Sequence, residues 1–248
     1  GFAITAYAYK YFIKKNRLDN KIREHLEGLD TSNIRELEDK GKKVRELITS
    51  SSFPQDLKLT ILNAHQKLAK KLKIEEADLD LAVRSSATAE DLPNASFAGQ
   101  QESYLNIQGE HALLESVKKA FASLFTNRAI SYRVDQKFNH LKIALSVCVQ
   151  KMVRSDRGSS GVMFTLDTET GFRDVVLINA SWGLGEFIVK GIVTPDEFMV
   201  FKPTLKKGFR SIISKKLGSK EKKLIYALDG TYPTKEVPVT LREQQMFA

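Results

Sequence analysis

From residue 142 onward the apolar side chains fall on alternate positions. Ile143, Leu145, Val147, Val149 and Val153 interleave with Ala144, Ser146, Cys148, Gln150 and Met152. A period of two belongs to a strand with one face buried, and it cannot sit as a helix, whose apolar positions recur at 3.6. Upstream the period is helical. Residues 5–75 read mainly as helix: Ala6–Lys15 carries Tyr7, Tyr11 and Phe12 near helical spacing, and 34–48 gathers Leu37, Val44, Leu47 and Ile48 on one broad face. Gly41 weakens that second segment, since glycine costs about 1 kcal/mol relative to alanine inside a helix. Ser51-Ser52-Phe53-Pro54 stops the pattern and Gln55–Leu72 resumes it. Residues 110–134 predict one long helix striped by Leu113, Val117, Ala120, Phe121, Leu124 and Phe125.

Strands are expected at 81–84, 102–107, 160–165, 174–179, 197–202, 211–216 and 222–227, joined by turns such as Thr170-Gly171 and Asp229-Gly230. Helices lead and a mostly antiparallel sheet follows, which predicts an α+β fold with a helical part over residues 1–80 and a sheet-bearing region over 81–248. No internal repeat is visible at solenoid periods.

Composition removes several classes. The 248 residues are 42% hydrophobic and 28% charged, which is globular and neither disordered nor low-complexity. No apolar run approaches the ~20 residues of a membrane-spanning helix, so no membrane partner is expected. The one cysteine, Cys148, excludes an internal disulfide and a cysteine-rich zinc site, and it points to a soluble protein of a reducing cytoplasm. The net charge of +9 invites a nucleic-acid reading, but its distribution argues otherwise. Residues 1–80 hold 16 basic and 13 acidic groups, residues 81–200 hold 12 and 13, and residues 201–248 hold 11 and 4. The excess lies in pairs such as Lys206-Lys207, Lys215-Lys216 and Lys222-Lys223 beside apolar stretches, the pattern of solvated strand edges. No basic stripe interleaved with aromatics accompanies them, so nucleic acid is not the expected partner. A non-catalytic module that docks an acidic partner through this tail is the reading from another class.

Five positions stand out chemically. Arg84 ends an apolar run and precedes Ser85-Ser86-Ala87-Thr88, where a planar guanidinium and loop hydroxyls suit a phosphate; pairing with Glu90 or Asp91 is the structural alternative. Gly99 lets the backbone approach a ligand or turn, and Ser103 could donate to a phosphate oxygen. Gln150 sits among apolar neighbours, where a buried amide would need partners, either an adenine or ribose edge or local backbone. Trp182-Gly183-Leu184-Gly185-Glu186 is either a flap over a nucleotide, with Glu186 at a ribose or metal-bound water, or a tight turn. Walker, zincin and nucleophile-elbow motifs are absent, and His25, His65, His111 and His140 are scattered.

Taken together, Val83-Arg84-Ser85-Ser86-Ala87-Thr88-Ala89-Glu90-Asp91-Leu92-Pro93-Asn94-Ala95-Ser96-Phe97-Ala98-Gly99-Gln100-Gln101 closely resembles the ATP-binding segment of the phosphoenolpyruvate synthase (pyruvate, water dikinase) family. The likeness continues through Val149-Gln150-Lys151-Met152-Val153, Ser160-Gly161-Val162-Met163-Phe164-Thr165, Trp182-Gly183-Leu184-Gly185-Glu186, Gly191 and Pro195-Asp196, in the family's order. The resemblance implies an ATP-grasp-like nucleotide-binding domain at the front of a multidomain phosphotransferase. Such an enzyme uses ATP to phosphorylate a histidine on a swivelling domain, then pyruvate on a third, giving phosphoenolpyruvate, AMP and phosphate.

Carried onto this sequence, Arg84 would clamp the ATP phosphates as the catalytic residue, Gly99 and Ser103 would line the phosphate loop, Gln150 would contact the nucleotide and Glu186 would be a flap residue. A lysine-bearing glycine segment is expected before Gly1, and the Mg²⁺ ligands, phosphohistidine domain and pyruvate site beyond Ala248. The chain thus reads as a fragment inactive alone, and homo-oligomerisation of the full protein stays open. Pyruvate phosphate dikinase, glucan water dikinase and rifamycin phosphotransferase are the related alternatives.

Overall fold

The computed structural model describes residues 1–87, 103–227 and 233–248 in full, and the backbone of residues 91–92 and 95–96. The chain forms two compact units, Gly1–Met152 and Val153–Ala248. The difference in texture expected at residue 80 falls inside the first unit, where helices and a sheet share one core.

That unit opens with β1 (Phe2–Ile4) and α1 (Ala6–Lys15), the helix capped by Thr5, whose Oγ1 accepts from the Ala8 N–H at 3.4 Å. Three helices follow, α2 (Leu18–Leu26), α3 (Ile34–Ser50) and α4 (Gln55–Leu72). The chain then runs through β2 (Leu81–Ala87), the two-residue strands β3 (Asp91–Leu92) and β4 (Ala95–Ser96), and β5 (Ser103–Ile107). It closes with α5 (Glu110–Ala122), α6 (Asn127–Asp135) and β6 (Leu145–Lys151).

Four strands order as β1-β6-β2-β5, each pair antiparallel. Leu81, Val83, Leu145, Val147 and Val149 are buried in one core with helical residues such as Phe12, Ile22, Val44, Ile48, Val117 and Phe121. Phe121 locks α5 to α1, meeting Tyr9 edge-on at 5.3 Å and Phe12 at 5.5 Å.

The single helix expected over 110–134 is broken. A 3-10 turn at Ser123–Phe125 separates α5 from α6, and Thr126 is extended, its Oγ1 accepting from the Ala129 N–H at 3.3 Å. The apolar stripe hides this break because Leu124 and Phe125 stay buried through the turn. Thr126-Asn127 is a cap signal that the periodicity overrode. Gly41 has a packing reason. A Cβ there would come within 2.8 Å of Asn127 Oδ1 and 3.2 Å of Ile130 Cδ1, so glycine lets α3 lie close against α6.

The second unit is sheet-rich, in keeping with the expected α+β class. It contains β7 (Ser159–Phe164), β8 (Val175–Trp182), α7 (Glu186–Val189), β9 (Asp196–Phe201), α8 (Lys202–Lys206), β10 (Ile212–Lys216), β11 (Lys222–Tyr226), β12 (Thr234–Pro238) and α9 (Leu241–Gln244). One antiparallel sheet orders β10-β9-β8-β7, and β11-β12 form a separate antiparallel pair. Asp196 and Lys220 form a fully buried ion pair in this unit. Asp196 also accepts from the backbone N–H groups of Gly218 (2.8 Å) and Ala248 (2.7 Å), which ties the start of β9 to the chain's last residue. No described helix is long and apolar enough to cross a membrane.

Candidate functional site

In an antiparallel sheet, residues directly opposite one another point to the same face. Arg84 of β2 faces Cys148 of β6 on one side and Ser103 of β5 on the other. Cys148 in turn faces Ala3 of β1. One rung therefore runs Ala3, Cys148, Arg84, Ser103 across all four strands. Since Leu145, Val147 and Val149 take the core face of β6, this rung belongs to the open face, and Arg84, Ser103 and Cys148 are exposed.

The neighbouring rungs are polar too. Ser86 faces Ser146, whose Oγ donates to the Ser86 carbonyl at 3.1 Å, while Gln150 faces Ala82. Gln150 is exposed, which corrects the reading of it as a buried amide. Its apolar sequence neighbours project to the opposite face, so its own side chain stands on the open one. Met152 is buried, and its N–H donates to the Asp80 carbonyl at 2.9 Å.

The structure thus brings Arg84, Ser103 and Gln150 to one face of one sheet. Gly99 and Glu90 lie outside the described residues, as does the side chain of Asp91. Among the described residues no carboxylate pairs with Arg84. Glu186 belongs to the second unit, where it begins α7 and pairs with Lys190 one turn on.

The loop that carries Glu186 is closely knitted. Gly183 N–H donates to Gly158 O and Leu184 N–H to Leu224 O, each at 2.9 Å, and Ser160 Oγ donates to Gly183 O at 2.7 Å. Gly183 has φ +83°, and a Cβ on it would come within 2.6 Å of Leu224 O. The geometry is that of a tight turn fixed on both sides. Sequence reasoning passed over Cys148 and Ser146 as neighbours of Arg84. The period-two pattern already placed Ser146, Cys148 and Gln150 on one face, but the pairing of β6 with β2 is not written in either strand.

Chemically, the open face offers a guanidinium, three hydroxyls, a thiol and an amide. A planar cation beside hydroxyl donors matches a phosphate chain, and an exposed amide matches a base or ribose edge. The same set does not suit a hard dication such as Mg²⁺, which takes carboxylate and carbonyl oxygens. Among the described residues no group of three or more His, Cys, Asp or Glu gathers that could hold a metal.

The whole chain, residues 1–248, matches the family described as "Pyruvate phosphate dikinase, AMP/ATP-binding domain", and the chain belongs to that family. Its relatives include the phosphoenolpyruvate synthases of Aquifex aeolicus, 56% identical over all of this chain and 29% of that protein's length, and of Helicobacter pylori, 53% identical over all of this chain and 30% of that length. A "Probable phosphoenolpyruvate synthase" of Methanocaldococcus jannaschii is 44% identical over 20% of its own length. The chain thus spans less than a third of these relatives.

Proposed function

We propose that this chain is the ATP-binding part of a phosphoenolpyruvate synthase, and that the open face of the first sheet holds the nucleotide. The observation that carries the reading is the rung that sets Arg84 between Ser103 and Cys148, with Gln150 beside it, in a chain of an AMP/ATP-binding family. Arg84 takes phosphate oxygens through its fork of donors, Ser103 adds a hydroxyl hydrogen bond, and Gln150 reads a base or ribose edge. Gly99 is proposed for the phosphate loop and Glu186 for a nucleotide contact, each on the strength of the family likeness alone. The chain's architecture is ATP-grasp-like in this reading. It serves a cytoplasmic enzyme, and a Mg²⁺ ion accompanying ATP, which would supply charge neutralisation at the polyphosphate, would be held by residues other than those of this face.

In the full protein ATP and a water molecule convert a histidine on another domain to phosphohistidine, releasing AMP and, by hydrolysis of the second phosphoanhydride bond, phosphate, and the phosphohistidine then phosphorylates pyruvate. A related dikinase with another acceptor would share this front part. The 44–56% identity to proteins named as phosphoenolpyruvate synthases favours pyruvate.

The test is ATP affinity of the full-length protein and its Arg84→Ala variant. Loss of a charge-assisted contact predicts affinity about 10- to 100-fold weaker. Normal ATP binding and turnover in Arg84→Ala would overturn the assignment.

A further inference from the structure

A second feature of the first unit lies away from the open sheet face. α2 and the 139–141 segment border a cleft of about 240 Å³, with Ile22, Leu26 and Leu141 as its apolar walls and Arg23, Asn139 and Glu27 around them. His140 supplies the remaining wall, and behind His140 stands Arg133, which is 0% exposed. The Arg133 Nε–H donates to His140 Nδ1 at 3.0 Å, its guanidinium lies over the Phe125 ring at 5.3 Å, and Nη2 finds no hydrogen-bond partner among the described residues. We propose that this cleft is a binding site for the carboxylate of a small branched aliphatic acid.

The argument begins with the imidazole. A ring nitrogen that accepts from a guanidinium carries no proton, so the His140 proton sits on Nε2 and the ring is neutral. Burial, helped by the nearby Arg133 charge, holds the His140 pKa down at about 4, so the ring keeps this form throughout the neutral range. Nε2–H is then its one remaining polar group, and polarisation by the guanidinium strengthens it as a donor.

The charge argument runs the same way. A buried guanidinium is tolerated when an anion compensates it, yet among the described residues no carboxylate pairs with Arg133. The hydroxyl near it, Tyr9, has its pKa pushed up by burial and stays protonated. An anion at the Nε2–H end would offset the Arg133 charge through one hydrogen-bonded ring, with Arg23 as a second cation at the rim.

The three apolar walls set the rest of the ligand: a short branched hydrocarbon body rather than a polyphosphate or a sugar. Glu27, the extended residue that follows α2 and borders the same cleft, is placed to accept the ammonium of an amino acid of the same shape. None of these residues stands on the rung of Arg84.

Thermal stability of the full-length protein titrated with isovalerate, its uncharged amide isovaleramide and valine tests the proposal. Isovalerate should give a saturable rise in melting temperature that isovaleramide does not. His140→Phe, which keeps the ring and loses the donor, and Arg133→Met, which removes the buried charge, should each weaken binding about tenfold or more. Arg84→Ala should leave it unchanged, so failure of this site and failure of the nucleotide assignment are separately visible. Valine binding as well as isovalerate would assign Glu27 to an ammonium, and isovalerate binding alone would assign a simple acid; both support the site. Equal responses to isovalerate and isovaleramide, or isovalerate binding untouched by His140→Phe, would overturn it. If Arg133→Met does not fold, Arg23→Gln on the exposed rim takes its place, and unaltered affinity there would also count against the site.

Discussion

At the residue scale the chemistry turns on donors whose geometry is fixed by their neighbours. Arg84→Lys keeps the charge but loses the planar fork, so nucleotide affinity should fall between those of wild type and Arg84→Ala, measured by calorimetric titration. Gly183 is a backbone requirement of another kind. With φ +83° and Leu224 O where a Cβ would stand, Gly183→Ala should destabilise the second unit by about 1–3 kcal/mol in denaturant titration. His140 gives a pH prediction. Its folded pKa of about 4 lies below its ordinary value of 6.5, so the unfolded chain binds the proton first. Its contribution to stability is complete above pH 6.5 and is lost as pH falls from there toward 4. His140→Phe should flatten the stability profile in that window.

At the element scale, local period and tertiary packing can be told apart. Gln55–Leu72 was legible to the residue because Pro54 marks its start and the amphipathic pattern runs unbroken. The break at Ser123–Phe125 was not, because burial of Leu124 and Phe125 carries the apolar stripe across it. Thr126→Ala should therefore cost about 1 kcal/mol of stability through the lost cap on α6, read by thermal denaturation. The short strand β1 was also missed. Three residues carry too little pattern, and Phe2–Ile4 is a strand because Val147–Val149 of β6 offers it an edge. The alternation seen through Val153 ends in the structure at Lys151, the last residue of β6, and Val153 is exposed.

At the scale of the whole molecule, the charge excess of residues 201–248 is partly absorbed by specific pairs. Lys216 pairs with Glu197, outside the segment, while the pairs Lys222–Glu236 and Lys223–Glu243 join charges already counted within it. Lys220 is wholly buried against Asp196, which no reading of lysine runs as solvated edges would place inside. Lys220→Met leaves Asp196 as an unpaired buried charge and should cost about 3–5 kcal/mol, seen as a lowered denaturation midpoint of the second unit. Glu243 caps α9 through Thr240 and pairs with Lys223, and these contacts hold its carboxyl at about 2, below the ordinary 4.5. Its support of the fold is therefore present above pH 4.5 and lost as pH falls from 4.5 toward 2, and Glu243→Gln should remove that part of the acid transition.

The alternation after residue 142 is enough on its own to make β6 a strand and to put Ser146, Cys148 and Gln150 on one face of it. The run from Val83 to Gln101 points to a nucleotide-binding family by residue identity alone. The first follows from local physics, since side-chain period depends on neighbours in the chain, and the second rests on resemblance. Neither could say that residues 3, 148, 84 and 103 stand in one row, or that Arg133 is buried behind His140. Strand order and the packing of α6 are long-range choices, made by which apolar faces can be buried together, and they assemble both the open face and the cleft on the first unit.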